Sequence, residues 1–348
     1  MARLGDTLHV GDATFHVRKV LRRPLPEESA PRQTLLLAQA LSGPHATRLA
    51  VIRCLEGPED APVRRRAADG GRLALRLRHP HIREVWQVHD IPACLFIVSE
   101  HLPGHDLEMV ASLSALLQRP PPPALVCFIG AAVADALDHA HALTGDAGEP
   151  LGIIHRGITL EHIRLGPLGE VKLTGFDGMF SRLPGRQVTS EHVLRGDMAY
   201  TAPEYVVRGQ LDSRADLFSL GLVLLELFAG RHPLDDPYAV TPVSSTGAFL
   251  GSPFTAEQPS WLPLDLLGER LLALSPEAVE HAARGVPAPL VSILKQALQR
   301  NPEQRYPTAG RMREDLRAWL AALPAPYTPE VAVEDVRRME EHLEELRG

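Results

Sequence analysis

The sequence changes character once, at Pro103-Gly104, and that change limits the fold more than any other feature. Before it, short apolar runs at 14–20, 34–40, 48–55, 84–89 and 94–99 read as strands, with one arginine-rich helix at 62–78 broken by His79-Pro80. After it, helical patterns dominate: 106–118, 124–143, 213–230, 276–282, 288–299 and 308–322, with short strands at 153–165 and 170–174. In 124–143, Val126, Ile129, Val133, Leu137 and His141 fall on one face. An α+β chain follows: a five-stranded antiparallel sheet with one helix over 1–102, then a mainly helical region over 103–323. Residues 324–348 are expected to form a stiff Pro324–Pro329 linker and a charged helix from Val333. Val336, Met339, Leu343 and Leu346 share one face of that helix, fit either to pack on the chain's own body or to make a dimer contact.

Composition excludes some functions. The 348 residues carry a net charge of −7, which argues against a nucleic-acid partner. The longest apolar stretch, Leu217–Gly230, is short and holds Glu226, whereas a membrane span needs about 20 apolar residues. With Asp6 and Asp12 in the first residues and no apolar run there, no leader or membrane contact is expected, and the expected location is cytoplasmic. Cys54, Cys94 and Cys127 are odd in number and widely spaced in apolar contexts, which fits buried thiols better than a disulfide or a metal site. Lysine is confined to Lys19, Lys172 and Lys295.

Five motifs follow in order. His155-Arg156 lies between an apolar strand and a turn; then come Gly169-Glu-Val-Lys-Leu-Thr-Gly-Phe-Asp-Gly178, Gly196-Asp-Met-Ala-Tyr-Thr-Ala-Pro-Glu204, Asp212-Ser-Arg-Ala-Asp216-Leu-Phe-Ser-Leu-Gly221 and Asn301-Pro-Glu-Gln-Arg305. This order resembles the Ser/Thr protein kinase family, and 140–156 looks most like its myxobacterial members. The resemblance, over about residues 14–323, implies a bilobal fold. It assigns His155 and Phe176 to an internal hydrophobic spine, Asp216 to holding the loop after His155, and Glu204 with Arg305 to a buried ion pair. Arg156 is retained beside them.

The same resemblance exposes departures. Gly157 stands at the catalytic aspartate, His162 at the metal-binding asparagine and Gly175 at the metal-binding aspartate. Thr159 replaces the usual lysine, and Asp177 lies two residues past the metal slot. Arg53, or Ile52 under a one-residue slip, matches the phosphate-anchoring lysine, with Gly70 or neighbouring Asp69 at its glutamate partner. Val51 matches the roof of the base pocket and Arg164 its floor, where a guanidinium could fill the pocket or pair with Asp177. No glycine occurs between Gly11 and Gly43, and Glu27 and Glu28 lie where a phosphate-cradling loop belongs.

Phosphoryl transfer needs phosphates held, metal held and a nucleophile oriented. On this reading the chain is expected to be a pseudokinase: a protein-binding scaffold or regulatory partner in bacterial signalling, catalytically inactive, with no cofactor and neither ATP nor magnesium expected. Its partner would be an active kinase or that kinase's substrate, with Thr189, Ser190 and Thr201 as phosphate acceptors. The alternatives are a nucleotide sensor without turnover and a Ser/Thr kinase with an unorthodox site. In the latter, His155, His162, Glu161 and Asp177 would attract a metal, although no recognised ligand spacing is present.

Overall fold

The computed structural model describes residues 3–24, 32–59, 61–181, 198–207, 211–234 and 264–347. The N-terminal lobe is one antiparallel sheet: β1 (Thr7–Val10), β2 (Ala13–Arg22), β3 (Arg32–Ala40), β4 (Leu49–Glu56), β5 (Val85–Ile91) and β6 (Cys94–Glu100), in the order β1-β2-β3-β4-β6-β5. The expected five strands are therefore six. β1 is a four-residue strand whose Val10 packs under β2, too short to leave a pattern in the sequence.

The sheet has two faces. Ala50, Ile52 and Cys54 of β4 point into a small core with Val17, Leu36 and Ala38, while Leu55 points to the main core with α1 (Pro62–Ala74). Alternation then places Val51 and Arg53 on the α1 side. Helix α1 lies close on β5 and β6, since a Cβ at Gly71 would sit 2.9 Å from Val88. Its fully buried Arg64 donates to Pro92 O at 3.0 Å and pairs with Asp90 at 2.7 Å, tying the helix to the β5–β6 turn. The helix ends at Ala74 rather than 78, because the amides of Arg76 and Leu77 bond to carbonyls three residues back and tighten the chain into a turn.

The second lobe holds β7 (His105–Asp106), α2 (Leu107–Leu117), α3 (Pro123–His141), β8 (Ile163–Leu165), β9 (Val171–Leu173), α4 (Pro203–Val206), α5 (Arg214–Ala229), α6 (Leu264–Ala273), α7 (Pro276–Ala282), α8 (Ala288–Ala297), α9 (Ala309–Ala321) and α10 (Pro329–Arg347). Among the described residues α3 alone is long and apolar enough to cross a membrane. It is mostly buried, packed on α5 and α9, and so is a core helix here. All three cysteines are buried free thiols.

The tail helix begins earlier than expected, at Pro329, and its apolar stripe packs on its own chain. Ala332, Val336 and Met339 are buried against α2 and α3, Leu343 is partly buried and Leu346 is exposed. Tyr327 fastens the linker by donating to Asp335 at 2.6 Å, with its ring 5.6 Å from Phe128.

Candidate functional site

The loop 155–162 crosses the front of the second lobe, and a buried carboxylate fixes its backbone. Asp216, in the first turn of α5, accepts from His155 N at 2.8 Å, Arg156 N at 2.9 Å and the His141 ring at 2.9 Å. Burial alone would raise the Asp216 carboxyl, but its bond to His141 and the charges of His141 and His155 hold it below the ordinary range. Arg156 is left in a strained backbone geometry, at φ +63°. Its guanidinium lies 4.1 Å from the Phe180 ring centroid, a cation–π contact. His155 uses both ring nitrogens: Nδ1 accepts from Gly157 N at 3.2 Å and Nε2 donates to Thr174 O at 2.7 Å. The Phe176 ring meets it edge-on at 4.6 Å, forming the expected spine contact. Below the loop, Arg305 grips Glu204 with two bonds of 2.7 Å each, while its remaining donors reach the carbonyls of Gln299, Arg214 and Arg300.

Above this frame the matched chemical positions are filled differently. The His162 ring lies over Gly175, at φ +90°, where an added Cβ would stand 2.7 Å from His162 Cδ2 and 3.1 Å from Nε2. Histidine at one slot and glycine at the other are thus a reciprocal exchange of volume. His162 Nδ1 is bonded to Thr159 Oγ1 at 3.0 Å, and burial with the nearby His155 pushes the imidazole down to about 4, so it is neutral at pH 7. Gly157 differs, since a Cβ there meets nothing closer than 3.7 Å.

The family's magnesium does not fit this donor set. Gly157 and Gly175 offer no carboxylate, and His162 offers nitrogen where magnesium demands oxygen. Among the described residues the metal cluster considered from the sequence does not assemble: His155 has both ring nitrogens engaged, and Glu161 is exposed. The side chain of Asp177, Thr189 and Ser190, and Glu27 and Glu28 lie outside the described residues. Thr201 is buried, so a kinase could reach it only after local opening.

On the upper side Arg53 holds the lysine slot, and its register resolves the slip considered above, because Ile52 points into the small core. Arg53 donates to Gln33 Oε1 from Nε at 3.2 Å and from an Nη at 3.0 Å. Gly70, matched to the partner glutamate, is buried in α1, while Asp69 pairs with Arg72 at 3.5 Å. Arg22, Leu35 and Arg53 occupy one cross-strand row, which sets two guanidiniums on one face; burial and the Arg22 charge bring Arg53 down to about 10. Lys19 is exposed on β2, Lys172 is committed to Glu100 at 2.6 Å and Lys295 to Glu280 at 2.8 Å. Val51, matched to the pocket roof, is buried. Arg164, matched to the pocket floor, reaches Gly104 O at 2.5 Å and Asp106 at 3.8 Å. Sequence reasoning missed Arg83, which reads as an ordinary strand residue yet donates from Nε to Glu100 O at 3.1 Å. It also missed Arg22, whose position two strands from Arg53 becomes visible only once the register is known.

Comparison with known proteins agrees with this architecture. The family model described as protein kinase domain matches residues 47–315. The chain is 31% identical over 254 residues to the tyrosine-protein kinase MasK of Myxococcus xanthus, covering 73% of this chain and 35% of MasK. It is 27% identical over 321 residues to the serine/threonine-protein kinase PknL of Mycobacterium tuberculosis, covering 88% and 70%. With the serine/threonine-protein kinase PrkC of Bacillus subtilis it shares 26% over 244 residues, 70% and 32%. The chain therefore spans about a third of MasK and PrkC. These matches correct the expectation that the chain is not an enzyme. The relatives are named as kinases, and nothing in the geometry shows inactivity. Altered side chains at the front of the loop bear on how phosphate is handled, and they do not measure a rate, while the frame holding the loop is intact. By the match over 47–315, this chain belongs to the protein kinase domain family.

Proposed function

We propose that the chain is a protein kinase domain of bacterial Ser/Thr signalling that works with an unorthodox site. It takes a nucleoside triphosphate in the interlobe groove through guanidiniums rather than through lysine and a carboxylate-held metal. The observation that carries this reading is the retained frame: Asp216 fixes the backbone of His155 and Arg156, and Arg305 with Glu204 fixes the segment beneath. A chain that kept these buried charges keeps the loop geometry in which a transferring phosphoryl group is positioned, and positioning with charge neutralisation is most of what such catalysis requires. Arg53 and Arg22 are the groups assigned to phosphate charge. Arg53 presents a fork suited to phosphate oxygens, unlike the point charge of lysine.

The partner in this reading is a protein, an active kinase or that kinase's substrate, and the setting is the cytoplasm. The test is incorporation of labelled γ-phosphate by the full chain, from ATP and from GTP, into itself and into a generic acceptor protein. Time-dependent incorporation that falls at least tenfold in Arg53→Ala is expected. Phosphoamino-acid analysis then reads the acceptor, serine and threonine being the expected ones. No incorporation from either nucleotide, with magnesium or with manganese, overturns the reading.

A further inference from the structure

We infer that Arg156 is a positioning residue whose guanidinium, set over the rings of Phe180 and Tyr205, holds the loop 155–162 in place without a phosphate group on the chain. The inference rests on the kinase reading above and concerns how that loop is regulated. Phe180 and Tyr205 are far apart in sequence, yet one cation meets both. The guanidinium carbon lies 4.1 Å from the Phe180 centroid and 5.8 Å from that of Tyr205. A cation within about 6 Å of an aromatic face is attracted by the ring's quadrupole, more strongly where water is partly excluded. All three side chains are half-buried.

Each member of this joint is fixed from its own side. Arg156 N donates to Asp216 at 2.9 Å. Phe180 forms an isolated antiparallel bridge with Ile154: Phe180 N donates to Ile154 O at 2.8 Å, and Ile154 N donates to Phe180 O at 3.1 Å. Tyr205 follows Glu204, which Arg305 grips with two bonds of 2.7 Å. The guanidinium therefore joins three separate pieces of chain: the loop, the stretch just after Gly178, and α4. Neither ring can leave the cation without disturbing a backbone that something else already holds.

The backbone shows that this side chain is used. At φ +63° glycine is the residue that fits at least cost, and arginine keeps that geometry only where its surroundings over-determine it. A phosphorylated hydroxyl can supply such an arginine with counter-charge, through hydrogen bonds to the edge of its fork. Here attraction comes from ring faces, which are present in the unmodified chain. Of the acceptors expected from the sequence, Thr201 is buried, where a phosphate would have to shed its water. The aromatic joint thus does permanently what a phosphate would do on demand.

Hydrogen exchange of the full chain, read by mass spectrometry over 153–157, 176–181 and 200–207 with no nucleotide added, tests this. Phe180→Tyr and Tyr205→Phe keep a ring face and are expected to exchange as wild type does. Phe180→Leu and Tyr205→Leu keep apolar volume without the face, and are expected to exchange about tenfold faster in all three stretches. Arg156→Lys keeps the charge and is expected to fall between wild type and Arg156→Gln. Circular dichroism checks that each variant is folded, and where a leucine variant is not, the lysine and glutamine pair decides. Treating the wild type with a protein phosphatase, with intact mass confirming the unmodified chain, is expected to leave exchange unchanged. Leucine variants as protected as wild type, or equal exchange in the lysine and glutamine variants, overturn the inference. So does a wild type that loses protection after phosphatase treatment, since Arg156 is then a phosphate dock. Exchange is read without nucleotide, so either failure leaves the labelled-phosphate assay to decide the kinase reading on its own.

Discussion

The frame beneath the catalytic loop and the face above it follow opposite rules. In the frame every buried charge has its geometric partner: Asp216 holds two backbone amides and a histidine, and Arg305 holds a carboxylate and three carbonyls. On the face, matched positions have traded size and charge, with imidazole over glycine and guanidinium in place of ammonium. The contrast is one of cost. A buried charge that loses its partner is left desolvated and alone, whereas an exchange of volume between two neighbours leaves the packing satisfied. The frame therefore tolerates few substitutions, and the face tolerates compensated ones.

The largest expected effect follows from that contrast. Arg305→Ala strands the Glu204 carboxylate and three carbonyls, and is expected to cost about 3–5 kcal/mol in urea unfolding, the range for breaking a buried pair. A loss below about 1 kcal/mol would mean that the frame is no stiffer than the face.

A second test separates the two regions by pH. His162 titrates at about 4 in the folded chain against about 6.5 when unfolded, so it is neutral in the fold. The unfolded chain binds the proton first as pH falls. The stability tied to His162 is complete above pH 6.5, declines as pH falls towards 4 and is spent below that. The whole effect is on the order of 3 kcal/mol. In His162→Asn the drop between pH 7 and pH 4 is expected to be smaller by about that amount. An equal drop in both proteins would show that His162 is not the titrating group.

A third, smaller effect probes the exchange itself. Gly175→Asp forces a Cβ to 2.7 Å from His162 at φ +90° and is expected to cost about 2–3 kcal/mol from overpacking and backbone strain together. His162→Asn in the same chain is expected to recover at least 1 kcal/mol of it, a coupling that a double-mutant cycle measures. Gly157→Asp meets only ordinary contacts and is expected to stay within about 1 kcal/mol of wild type. Equal penalties at 157 and 175 would refute the reciprocal packing.

How much of this the sequence discloses follows the same division. Strand and helix order was legible because apolar runs and the five motifs are local, and Asp216, Glu204 and Arg305 were legible because they sit inside those motifs. The pairing of His162 with Gly175 was not. They are 13 positions apart, and only the fold shows one ring filling the other's space. Arg83 carries no local sign of its role, because its carbonyl partner is Glu100 on the neighbouring strand. The contact of Arg164 with Asp106 was not legible, since the pairing of β7 with β8, which brings Asp106 alongside, involves only two residues of β7. Activity was misread for a different reason: side chains at matched slots were taken to stand for a rate, and the kinases to which the chain is similar correct that.

The tail extends the comparison to a third region, one in which burial is shallow. Tyr327→Phe removes the 2.6 Å bond to Asp335 and leaves the ring on Phe128. One hydrogen bond to a carboxylate at a partly buried site is worth about 1–2 kcal/mol, and that is the loss expected in urea unfolding. Leu346→Ala, on the exposed end of the same helix, is expected to stay within about 0.5 kcal/mol. If Tyr327→Phe changes as little as Leu346→Ala, α10 is held by its apolar stripe alone and the linker bond contributes nothing. If it reaches the scale of Arg305→Ala, the tail belongs with the frame, and the division would no longer run between loop floor and loop face but between residues with buried polar partners and those without.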